Sequence, residues 1–225
     1  MTPPAKDLRI LTRPFGWTVA VCVVAFAVVL GLVAVHWPPL LTGDQAADSA
    51  AHVDVLAQPW LLAAARAATT AGSALVVDVV AIVVALALLI IRWWRGAALV
   101  VVARLGELAS TTAIKDLLAR PRPVLLDPVD HAAGYSFPSG HAAGSAAVYG
   151  ALVVLVLPRA ARWTRALLLA VGALLICAVD ASRVLLGVHY PSDVAAGTAL
   201  GLAWVGVAAL LVTRIQTGEL RRAGQ

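Results

Sequence analysis

Three short blocks in the second half of the chain carry residue types that can bind and cleave a phosphate ester. The blocks are Lys115 followed after six residues by Arg122-Pro123, then Pro138-Ser139-Gly140-His141, then Ser182-Arg183 followed by His189 and Asp193. Arginine binds phosphate oxygens through paired N–H groups, and lysine binds them as a point charge. A charge near a membrane is costly unless it is paired or hydrated, so three such cations predict an anion site. The alternative for any one of them alone is an interfacial side chain that snorkels to water.

The second block predicts a helix start that favours an anion. Ser139 and Gly140 stand before an apolar run, where the backbone N–H groups of a first helical turn have no partner within the helix. The Ser139 hydroxyl adds a further donor. The alternative is a simple helix N-cap with no ligand.

The third block indicates a histidine nucleophile. Asp193 follows His189 by four residues, so its carboxylate could accept from one ring N–H and leave the other nitrogen free to attack phosphorus. His141 could then protonate the leaving oxygen. A metal site built from His141, His189 and Asp193 is the rival interpretation. The surrounding cations disfavour it, because they would repel a divalent metal, and we predict no metal and no cofactor.

The composition is that of an integral membrane protein. Of the 225 residues, 61% are hydrophobic and 13% are charged, whereas soluble domains carry about 25% charged residues. The mean hydropathy is +0.91. The apolar runs leave no room for a large soluble domain. The two cysteines lie inside apolar runs and predict packing residues rather than a disulfide.

Six apolar runs are long enough to span a bilayer. They are Trp17–Trp37, Ala74–Ile91, Gly96–Leu118, His141–Leu157, Arg165–Gly187 and Ser192–Thr213. We therefore predict an all-α fold, a bundle of six transmembrane helices. The first run is taken as a retained helix rather than a signal peptide, because no small-residue cleavage site follows it. In the mixed segment Pro38–Ser73, Leu61–Ala71 predicts an interfacial or re-entrant helix.

The distribution of basic residues predicts the orientation. With a cytoplasmic N-terminus, eleven of the seventeen lysines and arginines fall on the inside: Lys6, Arg9, Arg13, Arg92, Arg95, Arg159, Arg162, Arg165, Arg214, Arg221 and Arg222. Cytoplasmic loops carry such an excess. Both termini are then cytoplasmic, and all three blocks lie at the extracytoplasmic face. The net charge of +5 is thereby explained by topology, and no nucleic-acid partner is predicted.

In residue type and spacing the ordered blocks resemble the three-part signature of the type 2 phosphatidic acid phosphatase superfamily. That superfamily includes lipid phosphate phosphatases, bacterial undecaprenyl pyrophosphate phosphatases, glucose-6-phosphatase and the soluble vanadium haloperoxidases. The resemblance covers residues 115–193, and the six-span layout extends it less specifically to most of the chain. The membrane phosphatase branch fits this chain, because the haloperoxidases are soluble.

The resemblance implies a role for each signature residue. It implies that His189 is the nucleophile and forms a phosphohistidine, with Asp193 as its orienting partner. It implies that His141 is first the general acid and then the general base. The groups implied to hold the phosphoryl oxygens are Lys115, Arg122, Arg183, Ser139 and the Gly140 amide. It also implies no metal requirement.

The expected protein is a membrane hydrolase of lipid phosphates or isoprenoid diphosphates at the extracytoplasmic face. Undecaprenyl pyrophosphate, phosphatidic acid and phosphatidylglycerol phosphate are the expected kinds of substrate. Two alternatives stay open: transfer of the phosphoryl group to a lipid or sugar acceptor, and a non-catalytic transporter or lipid-binding protein. The expected organisation is a cytoplasmic segment at 1–16, a phosphatase domain at 17–213 and a cytoplasmic tail at 214–225.

Several ionisable residues outside the signature also carry expectations. Arg104 and Glu107 stand three apart in one span and predict a structural pair. Asp180 stands three before Arg183, and we hypothesise that it steers that arginine. An outer-loop position that could contact a head group is expected for Arg120, Asp127, His131 and Tyr135. Asp78 is a further intramembrane candidate, and His36 and His52 receive no role.

Overall fold

The computed structural model is all-α in the part of the chain that it describes, residues 12–125, 129–130 and 132–223. The helices there are α1 (Thr12–Ala34), α2 (Pro38–Ala57), α3 (Pro59–Ala71), α4 (Ala74–Ile90), α5 (Trp94–Leu118), α6 (Gly140–Val156), α7 (Arg162–Leu185) and α8 (Pro191–Ala223). One 3₁₀ turn, Leu157–Arg159, follows α6. The predicted all-α class is confirmed.

The described residues contain five to six candidate spans, in line with the six predicted, and the second span differs from its prediction. Within them, five helical segments are long and apolar enough to cross a membrane: Phe15–Ala34, Trp94–Leu118, Gly140–Arg159, Arg162–Leu185 and Pro191–Ile215. The sixth candidate is α3 and α4 taken together, which meet at a bend of 41°. The helix predicted at Leu61–Ala71 is thus the first arm of this bent pair, and the predicted second span is the other arm.

The bend between α3 and α4 has a local cause. Gly72 ends α3, and the Ser73 hydroxyl then accepts from the backbone N–H of Val76 at 3.4 Å, which caps α4. Serine is a favoured N-cap because it satisfies a donor that the helix leaves unpaired. From α6, the Tyr149 hydroxyl donates to the Ala71 carbonyl at 2.5 Å. The break is therefore held against the rest of the bundle.

Helix α8 lies at the centre of the bundle and packs against α1, α5 and α6. Two of its glycines allow α6 to approach closely. A Cβ at Gly197 would lie 2.5 Å from the Ser139 carbonyl oxygen, and one at Gly201 would collide with the Ala143 carbonyl. Small residues permit such contact between helices in a bilayer. This packing fixes the start of α6 against the start of α8, where the second and third sequence blocks lie.

An ionic cluster joins α4 to α5, with Arg104 and Glu107 buried and Asp78 half-exposed. Arg104 donates to Glu107 at 2.5 Å and to Asp78 at 2.7 Å, and Thr111 donates to the other Glu107 oxygen at 2.9 Å. The predicted Arg104–Glu107 pair is confirmed, and Asp78 proves to be its third member. Arginine paired with two carboxylates compensates charges that would otherwise be costly at this depth.

Helix α2 has an unusual distribution of polar residues. Asp44, Asp48 and His52 follow one another at intervals of four and are all buried, together with Val55. Residues four apart lie on one helix face. This face packs against α7 and α8, whereas Asp54 on the same helix is exposed. No element was predicted from the sequence at residues 38–57.

Candidate active site

The three sequence blocks meet at one end of the bundle. Lys115 lies in the last turn of α5, and His141 lies in the first turn of α6. Arg183 lies in the last turn of α7, and Asp193 lies in the first turn of α8. His141 lies within electrostatic range of Arg183, His189, Arg122 and Lys115. Residues that are up to 78 positions apart in sequence, from Lys115 to Asp193, therefore share one site.

The turn between α7 and α8 positions His189. Gly187 adopts a left-handed conformation with φ 67° after the end of α7, which is the usual geometry of a helix C-terminus and suits glycine. The backbone N–H groups of Val188 and His189 then return to the Arg183 carbonyl at 3.2 and 3.3 Å. These bonds fix the histidine backbone relative to Arg183.

Two charged neighbours determine which ring nitrogen of the neutral His189 carries the proton. Arg122 Nη1 lies 3.0 Å from His189 Nε2. A guanidinium can only donate, so Nε2 must be the acceptor and carries a lone pair. The proton is then on Nδ1, which lies 3.6 Å from Asp193 Oδ2. This is the tautomer that the predicted nucleophile requires, with Nε2 toward the cations and Nδ1 toward the carboxylate.

The surroundings keep His189 neutral. Its exposed fraction is 2%, and its pKa is lowered to about 4, chiefly by burial. Asp193 opposes this shift, and the positive charges of Arg122 and Arg183 contribute to it. A neutral imidazole is a nucleophile and a protonated one is not, so the environment holds His189 ready to react near neutral pH.

We expect an NMR titration of isotope-labelled histidine in detergent to show His189 neutral down to below pH 5. An unfolded histidine binds its proton near pH 6.5, so folding stability should fall as the pH decreases from there toward 4. The histidine signal that is lost in the His189→Asn variant is assigned to His189. A midpoint at or above 6.5 would contradict the expectation.

Backbone carbonyls of the loop before α6 and of the turn before α8 hold two of the cations. Lys115 Nζ donates to the Tyr135 carbonyl at 2.5 Å. Arg122 donates to the carbonyls of Gly134 at 2.9 Å, Ala133 at 3.0 Å and Val188 at 2.7 Å. Burial lowers the pKa of Arg122, with Asp193 and Asp130 opposing the shift. These neutral acceptors orient the two side chains without cancelling their charge.

Arg183 is held by α3 rather than by its neighbour on α7. Its Nη1 donates to the Thr69 hydroxyl at 2.5 Å and lies 3.7 Å from Asp130 Oδ2. Asp180 accepts instead from the Thr198 hydroxyl of α8 at 2.6 Å. The hypothesis that Asp180 steers Arg183 is therefore wrong at the level of direct contact, because Asp180 is bonded to α8.

Some buried polar atoms around His189 have no hydrogen-bond partner among the described residues. They are Ser139 Oγ, Arg183 Nε and His189 Nδ1. The Ser139 N–H donates to the Asp193 carbonyl at 3.0 Å, which links the start of α6 to that of α8. Buried polar groups are otherwise nearly always bonded. Oxygens of a bound phosphoryl group would suit the two donors, Ser139 Oγ and Arg183 Nε.

Arg120 belongs to the site, although the sequence predicted a different position for it. The expected loop position facing a head group is incorrect, because Arg120 is only 8% exposed. It donates to Asp193 Oδ1 at 2.5 Å and to Asp44 Oδ2 at 2.8 Å. Its guanidinium also lies 4.4 Å from the centre of the Tyr190 ring. Tyr135 is partly exposed on its loop, while Asp127 and His131 lie outside the described residues.

Asp44 and its helix were not anticipated, although a signal was present. The spacing of Asp44, Asp48 and His52 marks one polar face of a helix, which would ordinarily predict a surface exposed to water. In the structure that face is buried against the site. Burial and the charges of Asp193 and Asp44 raise the pKa of Asp48 to about 6.

The same side chains also bear on metal binding. In the described ranges, the histidines, cysteines and carboxylates form no group of three or more able to hold a metal ion. His141 and His189 instead have arginine and lysine around them, and a divalent cation would be repelled there. The donor set fits an anion.

Two curated relatives match part of the chain. Phosphatidylglycerophosphatase B of Bacillus subtilis is 35% identical over 92 residues, which cover 40% of this chain and 44% of that protein. Decaprenylphosphoryl-5-phosphoribose phosphatase of Mycobacterium tuberculosis is 40% identical over 96 residues, or 41% and 48% of the two chains. The match thus spans a little under half the length of each relative.

Solved structures share the fold over a longer stretch. The crystal structure of a transmembrane PAP2 type phosphatidylglycerolphosphate phosphatase from Bacillus subtilis has a TM-score of 0.76 and 23% identity, and covers 90% of this chain and 97% of that one. Aquifex aeolicus LpxE has a TM-score of 0.54 and 22% identity, with 68% and 87% covered. The PAP2 superfamily itself matches residues 96–216, just over half of the chain. The protein is therefore a multi-pass membrane member of the PAP2 superfamily.

Proposed function

We propose that the protein is a metal-independent membrane phosphatase. It hydrolyses a lipid phosphate or isoprenoid diphosphate at the extracytoplasmic face through a phosphohistidine. The observation that carries the proposal is the 3.0 Å contact between Arg122 Nη1 and His189 Nε2. It places the unprotonated nitrogen of a neutral histidine beside a cation suited to phosphate oxygens. Attack by that nitrogen on a bound phosphorus is the chemistry that this juxtaposition serves best.

In the first proposed step, His189 Nε2 attacks phosphorus, and the bond from phosphorus to the lipid oxygen breaks. His141 donates a proton to that leaving oxygen, so the lipid alcohol or lipid phosphate departs neutralised by one proton. The Nδ1 proton of His189 remains directed at Asp193, 3.6 Å away, which stabilises the positive charge on the phosphorylated ring.

In the second step, a water molecule attacks the phosphohistidine. His141, now unprotonated, accepts a proton from that water, and the phosphorus–nitrogen bond breaks to return His189 to its neutral form. Inorganic phosphate leaves. The two steps use the same residue as acid and then as base, so the proton balance closes over one turnover.

The phosphoryl oxygens are proposed to bind Lys115, Arg122, Arg183, the Ser139 hydroxyl and the Gly140 amide. In support, α6 begins at Gly140, and the first N–H groups of a helix have no partner within it. Preorganised donors of this kind stabilise charge that develops during phosphoryl transfer. The proposed domain that carries these residues is 17–213.

A lipid substrate is proposed because the site lies at the end of helices that are apolar enough to span a bilayer. The names of the two curated relatives also refer to phosphate groups on lipid molecules. A phosphorylated head group could reach the cations while its chain stays in the membrane. The substrate class proposed is therefore a lipid phosphomonoester or diphosphate.

The test is phosphate release by the purified protein in detergent with EDTA. The panel contains phosphatidic acid, phosphatidylglycerol phosphate and an isoprenoid monophosphate and diphosphate. Release from at least one lipid, undiminished by EDTA, is expected. If the lipid phosphate is consumed only when an alcohol acceptor is added, and the product is a phosphorylated acceptor rather than inorganic phosphate, phosphotransfer would replace hydrolysis. Loss of activity that added metal restores would overturn metal independence.

The proposed orientation predicts labelling of a cysteine introduced at Val124, which is 95% exposed. In a background that lacks Cys22 and Cys177, a membrane-impermeant thiol reagent should modify Val124→Cys in intact cells. The matched variant Ala161→Cys, between α6 and α7, should react only after permeabilisation. The reverse pattern would invert the topology and place the site in the cytoplasm.

A further inference from the structure

A chain of buried polar contacts connects α2 to the carboxylate beside His189. Arg120 forms its centre: Nη2 donates to Asp44 Oδ2 at 2.8 Å, and Nη1 donates to Asp193 Oδ1 at 2.5 Å. Nη1 also donates to the Ser192 hydroxyl at 2.8 Å, and that hydroxyl donates to Asp44. The exposed fractions are 4% for Asp44 and 0% for Asp193. The four side chains thus form one closed network away from water.

Asp44 and Asp193 together satisfy the start of α8. The first N–H groups of a helix lack partners within it. Asp44 Oδ1 accepts from the Ser192 N–H at 3.0 Å, although Asp44 lies 148 residues away. Asp193 Oδ2 accepts from the Tyr190 N–H at 3.0 Å, in the manner of a capping box. Asp44 is therefore an N-terminal cap for α8 that is supplied by a different helix.

The network also decides how Asp193 uses its two oxygens. Arg120 occupies Oδ1, so Oδ2 remains for the Tyr190 N–H and for His189 Nδ1 at 3.6 Å. Asp44 accepts from the other guanidinium nitrogen of Arg120, so the two carboxylates are paired with one positive charge. Without Asp44, nothing else named in this network would hold that nitrogen, and the guanidinium would be fixed on Asp193 less firmly, through Nη1 and the Tyr190 ring alone.

We propose that Asp44 is a positioning residue for the reaction: acting through Arg120 and Ser192, it orients the Asp193 carboxylate toward His189. This inference rests on the proposed phosphatase function. Asp44 does not touch the phosphate-binding cations, so its contribution lies in the chemical step rather than in substrate affinity. It also lies outside residues 96–216, where the chain matches its superfamily.

The test is steady-state and single-turnover kinetics of Asp44→Asn. The replacing amide keeps the shape but offers one acceptor oxygen instead of two. We expect kcat to fall by up to about 10²-fold, which is the cost of misplacing a group by about 1 Å. KM should stay unchanged, because the interaction acts on the transition state alone. Asp54→Asn, an exposed position on the same helix, should retain wild-type kinetics.

A double-mutant cycle with Asp193→Asn separates positioning from a general loss of structure. If Asp44 acts through Asp193, then Asp44→Asn should cost little more once Asp193 has been replaced. The inference would be overturned if the losses of activity in the two single variants multiplied in the double variant, or if Asp44→Asn kept full activity. The proposed function would be unaffected by either result. A wild-type protein that releases no phosphate from any lipid would overturn both.

Ser192→Ala keeps the proposal testable if Asp44→Asn fails to fold. It removes the hydroxyl that bridges Arg120 and Asp44 but leaves the Ser192 N–H with its acceptor. We expect a smaller fall in kcat, again at unchanged KM and with thermal unfolding close to that of the wild type. Wild-type kcat in this variant would count against Asp44 as a positioning residue.

Discussion

Replacing His189 by asparagine is expected to reduce phosphate release by at least about 10⁴-fold, the size of loss that follows removal of a nucleophile. Asparagine has no nitrogen that can attack phosphorus. The folded state should survive, because Arg122, which donates to His189 Nε2, keeps three backbone carbonyls as acceptors. His189 Nδ1 makes no hydrogen bond within the described structure. The measurement is phosphate release at saturating lipid by wild type and variant.

His36→Asn is the matched control for this change. His36 is exposed and adopts φ 53°, a left-handed conformation that asparagine tolerates well. It should keep wild-type activity. Residual activity above about 1% in His189→Asn, in a protein as well folded as the control, would remove His189 as the nucleophile, because a lost nucleophile costs far more.

The largest effect on stability is expected from Arg120→Gln. The substitution leaves the carboxylates of Asp44 and Asp193 buried without their cation, and removing one partner of a buried pair typically costs about 3–5 kcal/mol. The cation–π contact with Tyr190 is lost as well. Thermal unfolding in detergent should therefore occur at a markedly lower temperature than in the wild type.

Two further variants interpret the Arg120→Gln result. The exposed Arg162→Gln should leave thermal unfolding unchanged, which controls for the loss of one positive charge. Adding Asp44→Asn to Arg120→Gln removes one of the two uncompensated charges and should recover part of the stability. Unfolding of Arg120→Gln at the wild-type temperature would show that the buried network contributes nothing.

Much of the site could be predicted because the chemistry is concentrated in a chain with few polar residues. Charged and reactive side chains are easy to recognise between apolar runs, as at Lys115, Arg122, His141, His189 and Asp193. The prediction of six spans then placed their three blocks at one face of the membrane. The structure brings these residues to one end of the bundle. The pairing of Arg104 with Glu107 was predictable for a simpler reason, since residues three apart on a helix are neighbours.

The network of Asp44 and Arg120 could not be predicted in the same way. The two residues are 76 positions apart, and their contact depends on how α2 packs against α7 and α8. The polar face of α2 also contradicts the ordinary expectation that polar residues face water. Periodicity locates such a face but does not say whether it is covered by solvent or by a neighbouring helix.

Arg183 illustrates the same difficulty at shorter range. Asp180 stands three positions before it, and proximity in sequence suggested a pair. In the structure Arg183 bonds to Thr69 on α3, and Asp180 bonds to Thr198 on α8. Two neighbours on one helix can point toward different partner helices, and only the packing of α7 decides between them.

The stereochemistry at phosphorus tests the central claim most directly. A lipid phosphorothioate made chiral with oxygen isotopes is hydrolysed, and the configuration of the released thiophosphate is determined. Passage through a phosphohistidine requires two in-line displacements, each of which inverts phosphorus. We therefore predict overall retention of configuration. Inversion would mean that water attacks the substrate in a single step, and His189 would then have to act in some role other than that of nucleophile.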